Sequence, residues 1–139
     1  MNVIDDTSRS AVTFRSEGGL YAFGIETLTE ILQLSEVTPI PGLPPHILGV
    51  INLRGEVIPV IDLRKRLGFE DIPPTGHETF MVISVNGTTA AIKTDGVVTS
   101  VTYTDETYMP IEEESVAAGI ILDGSDRITL INAEKLLEK

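Results

Sequence analysis

One segment of the chain returns at a fixed distance, and no other feature constrains the fold as much. Gly49-Val50-Ile51 reappears as Gly119-Ile120-Ile121, and Ile58-Pro59-Val60-Ile61-Asp62 reappears as Ile128-Thr129-Leu130-Ile131-Asn132, both at a spacing of 70 residues. Lys65 and Leu67 return as Lys135 and Leu137 at the same spacing. A constant offset without gaps marks a duplication. Each copy reads as strand, turn, strand and short helix, and one such unit has too few strands to bury its own apolar face. Two small β subdomains are therefore expected. In the first copy the strands fold back around Arg54-Gly55, whereas the second has Gly124-Ser125 there. Arg54 thus answers to something the fold alone does not require.

The rest of the chain agrees with an all-β class. Valine, isoleucine and threonine fill short apolar runs, and Gly, Pro, Asn or Asp separates them. Strands are predicted near Ala11 to Arg15, Leu20 to Ile25, Glu30 to Leu34, Gly49 to Leu53, Val57 to Ile61, Thr79 to Val85, Thr88 to Lys93, Val97 to Tyr103, Ala118 to Leu122 and Arg127 to Ile131. Asn86-Gly87 suits a type I′ hairpin, whose two central residues both need positive φ. The first hairpin is expected to turn at Glu17-Gly18-Gly19.

Thr38 to Pro45 holds four prolines, which remove four donors and fix four φ angles, so it reads as an extended connector leading to one helical turn at His46-Ile47-Leu48. Short helices are predicted after Asp62, over Leu63 to Leu67 and closed by Gly68, and at the C-terminus, over Ala133 to Leu137 behind an Asn132 cap. The chain is read as one domain, 1–139, with a first subdomain at about 11–68, a second at about 78–139 and a seam over 69–77.

Composition excludes several functions. With no cysteine, disulfides, thiolate nucleophiles and cysteine-bound zinc are ruled out. Ten basic against 21 acidic residues give a formal charge of −11, which opposes phosphate backbones and anionic lipid, so nucleic acid is not an expected partner. No apolar run approaches the roughly 18 residues of a membrane span. No direct membrane insertion is expected, and the acidic N-terminus is unlike a signal peptide, so a cytoplasmic location is expected.

Enzyme signatures are lacking. His46 and His77 have no second His, Asp or Glu at metal-ligand spacing, and no nucleophile elbow, phosphate loop or dinucleotide fingerprint occurs. Glu112-Glu113-Glu114 reads as solvated charge, and Asp123-Gly124-Ser125-Asp126 lacks the closing Glu of a calcium loop. No catalytic residue, metal or cofactor is assigned. A β scaffold of this kind binds other proteins through strand edges and the groove between subdomains.

From Thr13 to the C-terminus, and most densely from Leu20 to Gly68, the chain resembles the CheW-like coupling proteins of bacterial chemotaxis. The resemblance rests on Thr38-Pro39-Ile40-Pro41, Gly49-Val50-Ile51-Asn52-Leu53-Arg54-Gly55, Ile58 to Leu63 and Ile128 to Asn132, in the family's order. It implies a pair of five-stranded SH3-like barrels and no catalysis. The implied role is a scaffold between chemoreceptor cytoplasmic tips and the regulatory domain of the histidine kinase CheA, placed in membrane-associated receptor arrays through those partners.

The resemblance also implies sites. Leu28, Ile31, Val97 and Val98 would line a receptor-binding groove, together with Gly49, whose other reading is a close backbone approach that admits no Cβ. Arg54 would form a salt bridge with Glu30 at a coupling turn, and Leu53, Gly55, Val57 and Ile58 would face the kinase, with Asn86-Gly87 as a further candidate. Lys93 and Thr94 interrupt a strand that is more apolar in the family, Gly96 takes an acidic place, and Asn132 stands for an Asp. Two further readings are a divergent CheW-like module without receptor coupling, either a competitor or an adaptor for another kinase, and a ligand-binding barrel or small hydrolase.

Overall fold

A computed structural model describes residues 8–16, 19–33, 36–68, 78–112 and 115–138, with only the backbone of 97 and 98. The strands are β1 (Arg9–Ser16), β2 (Gly19–Gly24), β3 (Leu28–Gln33), β4 (Ile47–Leu53), β5 (Glu56–Asp62), β6 (Thr79–Val85), β7 (Thr88–Thr94), β8 (Gly96–Tyr103), β9 (Tyr108–Pro110), β10 (Ala117–Asp123) and β11 (Asp126–Ile131). Helices α1 (Leu63–Arg66) and α2 (Ala133–Leu137) follow β5 and β11. The all-β class and all ten predicted strands are found. At the predicted helical turn His46-Ile47-Leu48, Ile47 and Leu48 instead open β4 behind a turn in which the Ile47 N–H donates to the Pro44 carbonyl, and Lys93 and Thr94 continue β7 without a break. Thr94 is buried there with its hydroxyl 3.0 Å from that of Thr79.

Two sheets form, ordered β8-β1-β2-β11-β10-β9 and β3-β6-β7-β5-β4. The boundary read at 69–77 does not separate them, because each sheet takes strands from both sides of it. Parallel pairing is the reason: β5 pairs with β7 through Val60 and Ala91, and β11 pairs with β2 through Leu130 and Ala22. Each half of the chain therefore gives its leading hairpin to the other half's sheet. The seam itself, His77 and the Glu17-Gly18 turn lie outside the described residues.

The repeat extends to the ladders. Glu30, Ile31, Leu32 and Gln33 pair with Val82, Met81, Phe80 and Thr79, and Thr99, Ser100, Val101 and Thr102 pair with Thr13, Val12, Ala11 and Ser10; here the displacement is 69, which keeps Met81 and Val12 on the shared core and Phe80 and Ala11 in the cores of their own sheets. Ile51 opposite Ile58 likewise becomes Ile121 opposite Ile128. The N-caps repeat as well: Asp62 Oδ1 accepts from the Arg64 N–H and Asn132 Oδ1 from the Lys135 N–H.

Three cores result. Ala22, Val101 and Ile121 fill the six-stranded sheet, and Ile51, Ile58, Phe80 and Val82 fill the five-stranded one. Phe14, Phe23, Met81, Ile83, Ile92 and Leu136 form a third core shared by both sheets. Strand β6 shows the sequence logic, since Phe80 and Val82 point to one core and Met81 and Ile83 to the other. Both faces are buried, so the strand reads as an unbroken apolar run. Each such side chain stabilises by about 1.5–3 kcal/mol of burial.

Charge also crosses between the sheets. Arg64 of α1 contacts the Asp95 carboxylate at 2.9 and 3.1 Å, and the Asp95 N–H donates to the Arg15 carbonyl of β1. Asp62, Lys65, Glu78 and Lys93 line the same small polar recess. Its charges are of both signs, which is the pattern of an ion-pair network that joins elements. Among the described residues, no group of three His, Asp or Glu side chains is placed to hold a metal.

Candidate interaction surface

The β4–β5 hairpin turns in two residues, with Leu53 opposite Glu56. Arg54 and Gly55 both take positive φ, +52° and +87°, which matches the right-handed twist of the flanking strands. Glycine adopts this freely, but arginine does not. The Gly55 N–H donates to Asn52 Oδ1 at 2.9 Å, which closes the turn from within.

From this position the Arg54 guanidinium reaches β3. Its two terminal nitrogens meet the two carboxylate oxygens of Glu30 at 2.5 and 2.7 Å, in the paired fork geometry that arginine and carboxylate share. The predicted Glu30 to Arg54 salt bridge is present. The hydrogen bond from Arg54 holds the Glu30 carboxyl below the ordinary value of 4.5, against a smaller opposing effect of burial. Arg54 itself is 71% exposed, so a charged, rigid tip faces outward.

Apolar groups flank the pair. A bulge between Leu28 and Glu30 resets the pleat, so that Leu28 lies opposite Ile83 and Ile31 opposite Met81. Since Ile83 and Met81 both face the shared core, Leu28 and Ile31 share that face at the open edge of the sheet. Leu28 is half-buried against the core, while Ile31 and Ile25 are 44% and 48% exposed. Ile25, in the 3-10 turn before β3, has no sequence signal, because an apolar residue at the end of an apolar run reads as core. Val97 pairs with Phe14 in β8, on the outer edge of the other sheet, and its side chain and that of Val98 lie outside the described residues.

The hairpin residues assigned to the kinase divide. Val57 is 62% exposed and Gly55 lies at the open turn. Ile58 is only 2% exposed and fills the five-stranded core, so its assignment to a partner face is corrected. The alternation of β5 sends it inward while Val57 points out. Leu53 is partly buried against the same core. Asn86-Gly87 forms the predicted hairpin turn, with φ of +52° and +82°, and Asn86 donates to Glu134 of α2.

Gly49 serves a close approach. Its φ is +151°, and a Cβ there would overlap the carbonyl of Thr38 and the Cα of Pro39. Thr38 and Val50 exchange both backbone hydrogen bonds, at 2.8 and 2.9 Å, so the connector is stitched to β4 across Gly49. Gly119 has the same place in the second copy, and there the Tyr108 ring sits over it. In that copy the covering segment is the strand β9, which the sequence reading missed. Pro39 and Pro41 cannot donate to such a ladder, whereas Tyr108-Met109-Pro110 pairs along β10.

The profile of the CheW-like domain matches residues 10–139. This chain belongs to the CheW-like family. A probable chemotaxis protein CheW of Rhizobium etli is 32% identical over 142 residues, covering 98% of this chain and 92% of the relative. The chemotaxis protein CheW of Rhizobium meliloti is 29% identical, covering 92% and 86%. The crystal structure of the scaffolding protein TtCheW from Thermoanaerobacter tengcongensis superposes with a TM-score of 0.88 at 27% identity, covering 94% of this chain and 93% of that one. As a CheW-like protein the chain is a non-catalytic scaffold or adaptor in chemotaxis signalling. Among the described residues, no helix of this CheW-like chain is long and apolar enough to cross a membrane.

Proposed function

We propose that this chain couples the cytoplasmic tips of chemoreceptors to the regulatory domain of the histidine kinase CheA, within membrane-associated receptor arrays in the cytoplasm. The observation that carries the reading is the Arg54 turn, fixed by Glu30, with exposed Val57 on the same hairpin and exposed Ile31 next to Glu30 along β3. A rigid charged centre beside apolar side chains suits a partner of modest affinity, with charge setting register and burial supplying energy. The kinase domain docks on the hairpin side, with Arg54, Gly55 and Val57. The receptor's helical tip lays an apolar stripe along Leu28 and Ile31 at the β3 edge and toward the β8 edge that carries Val97 and Val98. Weak single contacts suffice in an array, because many act together.

Calorimetric titration against the kinase regulatory domain, with Arg54→Ala alongside, tests the reading. Saturable one-to-one binding that the substitution weakens supports it. No binding at high micromolar concentration removes the kinase half and leaves the receptor tip as the next titrant.

A further inference from the structure

The repeat shows where the two halves differ in packing. The parallel ladders pair Val60 with Ala91 and Leu130 with Ala22, so β7 and β2 correspond and Ala90 holds the place that Tyr21 holds in the other sheet. Both residues pack into the shared core. Tyr21 fills its place with a phenol ring stacked on Phe14 at 6.0 Å. Ala90 offers only a methyl group, and beside it lies a cavity of about 470 Å3.

The walls are apolar: Ile47, Pro59 and Ile61 from the β4–β5 hairpin, and Leu136 and Leu137 from α2. Protein interiors seldom leave such space, because every missing neighbour forfeits dispersion contacts. The mouth carries polar and charged groups, His46, Thr88 and Glu138, and Glu134 adjoins Glu138 in the neighbouring recess. Apolar surface continues outward over Leu43, which is 37% exposed. No residue of this cavity belongs to the Arg54 turn or the β3 edge, so the inference does not rest on the function proposed above.

We propose that the cavity is a socket for an aromatic side chain of a partner polypeptide, one flanked by basic residues. The ring occupies the space that Tyr21 occupies in the other half. Glu138 already meets the Lys135 ammonium at 3.3 Å, so the basic flanks are drawn by Glu134 in the adjoining recess and by a chain of formal charge −11. The apolar surface at Leu43 extends the contact beyond a ring, which suits a polypeptide better than a free small molecule.

Methyl NMR on the full chain tests this with three probes: p-cresol, acetyl-Lys-Tyr-Lys-amide and acetyl-Glu-Tyr-Glu-amide. The expected result is saturable movement of the Ala90, Ile61 and Leu136 methyl signals with p-cresol and the lysine peptide, the lysine peptide binding at least fivefold more tightly than the glutamate peptide. Ala90→Tyr places the chain's own ring in the socket and is expected to abolish the response, and Ala90→Leu does the same if the tyrosine variant folds poorly. Unmoved cavity methyls overturn the proposal, as does a full response in both filled variants. Binding of p-cresol alone, or equal binding of the two peptides, overturns the basic polypeptide as occupant.

Discussion

Arg54 holds the Glu30 carboxylate with both ends of its guanidinium while its own backbone stands at φ +52°, a conformation arginine seldom adopts. The second copy of the repeat puts Gly124-Ser125 at the turn and Thr99 in the place of Glu30, and its sheet forms all the same. The pair therefore shapes a surface more than it holds the fold. Arg54→Ala is expected to move the thermal midpoint by no more than about 2 °C, since exposed pairs contribute little. Affinity for the kinase regulatory domain should fall by about tenfold or more, as for a central arginine in an interface. Arg54→Lys should not restore it, because an ammonium group cannot make the paired fork. Thermal unfolding and calorimetry on the same samples separate the two effects.

Gly49→Ala should act through the fold. The new Cβ strains a positive φ and meets the Thr38 carbonyl, so the connector must leave β4. A loss of about 2–4 kcal/mol is expected from strain and the lost bridge together. Gly42→Ala is the control, since its φ is also positive, +85°, but no atom lies within 4 Å of the added carbon. Its cost should be about 1 kcal/mol. Denaturant titration gives both values, and hydrogen exchange at Val50 reports whether the bridge to Thr38 has opened.

His46 lines the cavity, and its backbone carbonyl accepts from the Asp62 N–H. Burial, helped by the nearby Arg66 charge, lowers its pKa below the ordinary 6.5. The unfolded chain therefore binds the proton first as pH falls. Stability attributable to this residue is complete above about pH 6.5, declines below it and levels off once the folded form is also protonated. His46→Gln should flatten this part of the stability profile, and a pH series of denaturant midpoints for the two proteins measures it. An identical slope in both would remove His46 as its source.

Exchange of leading hairpins between the halves makes the two sheets interdependent. Phe80 fills the core of one sheet and Phe14 the core shared by both, and each is fully buried. Either phenylalanine replaced by alanine should cost about 3–5 kcal/mol. Both should shift one common transition, rather than split unfolding in two. Reporters in β4 and in β10 should lose structure at the same denaturant concentration.

Much of this fold was legible because its strands are short, β-branched and bounded by turn formers. The Asn86-Gly87 and Arg54-Gly55 turns were readable from the φ values that Gly and Asn tolerate. The salt bridge was named through family resemblance, and the structure supplies its forked geometry. What failed to show was pairing between distant segments. Parallel contact of β5 with β7 leaves no local mark, so a seam rich in proline and glycine looked like a boundary between sheets. Ile58 was placed on the surface because a one-residue step decides the face of a strand, and an apolar run does not reveal which residues look inward. Strand β9 was too short to register, although Thr38, 70 residues earlier, makes the related bridge to Val50.

The strand order also sets a timetable for a growing chain. Every strand of the five-stranded sheet has been synthesised once Thr94 is made, so that sheet can close while the C-terminal third is still to come. In the hairpin of β1 and β2, made first, β1 waits for β8, which ends at Tyr103, and β2 waits for β11, which ends at Ile131. A newly made molecule thus carries an unfinished pair of strands through most of its synthesis, with both outer ladders open to pairing. The oldest strands of the molecule are the last to find their neighbours.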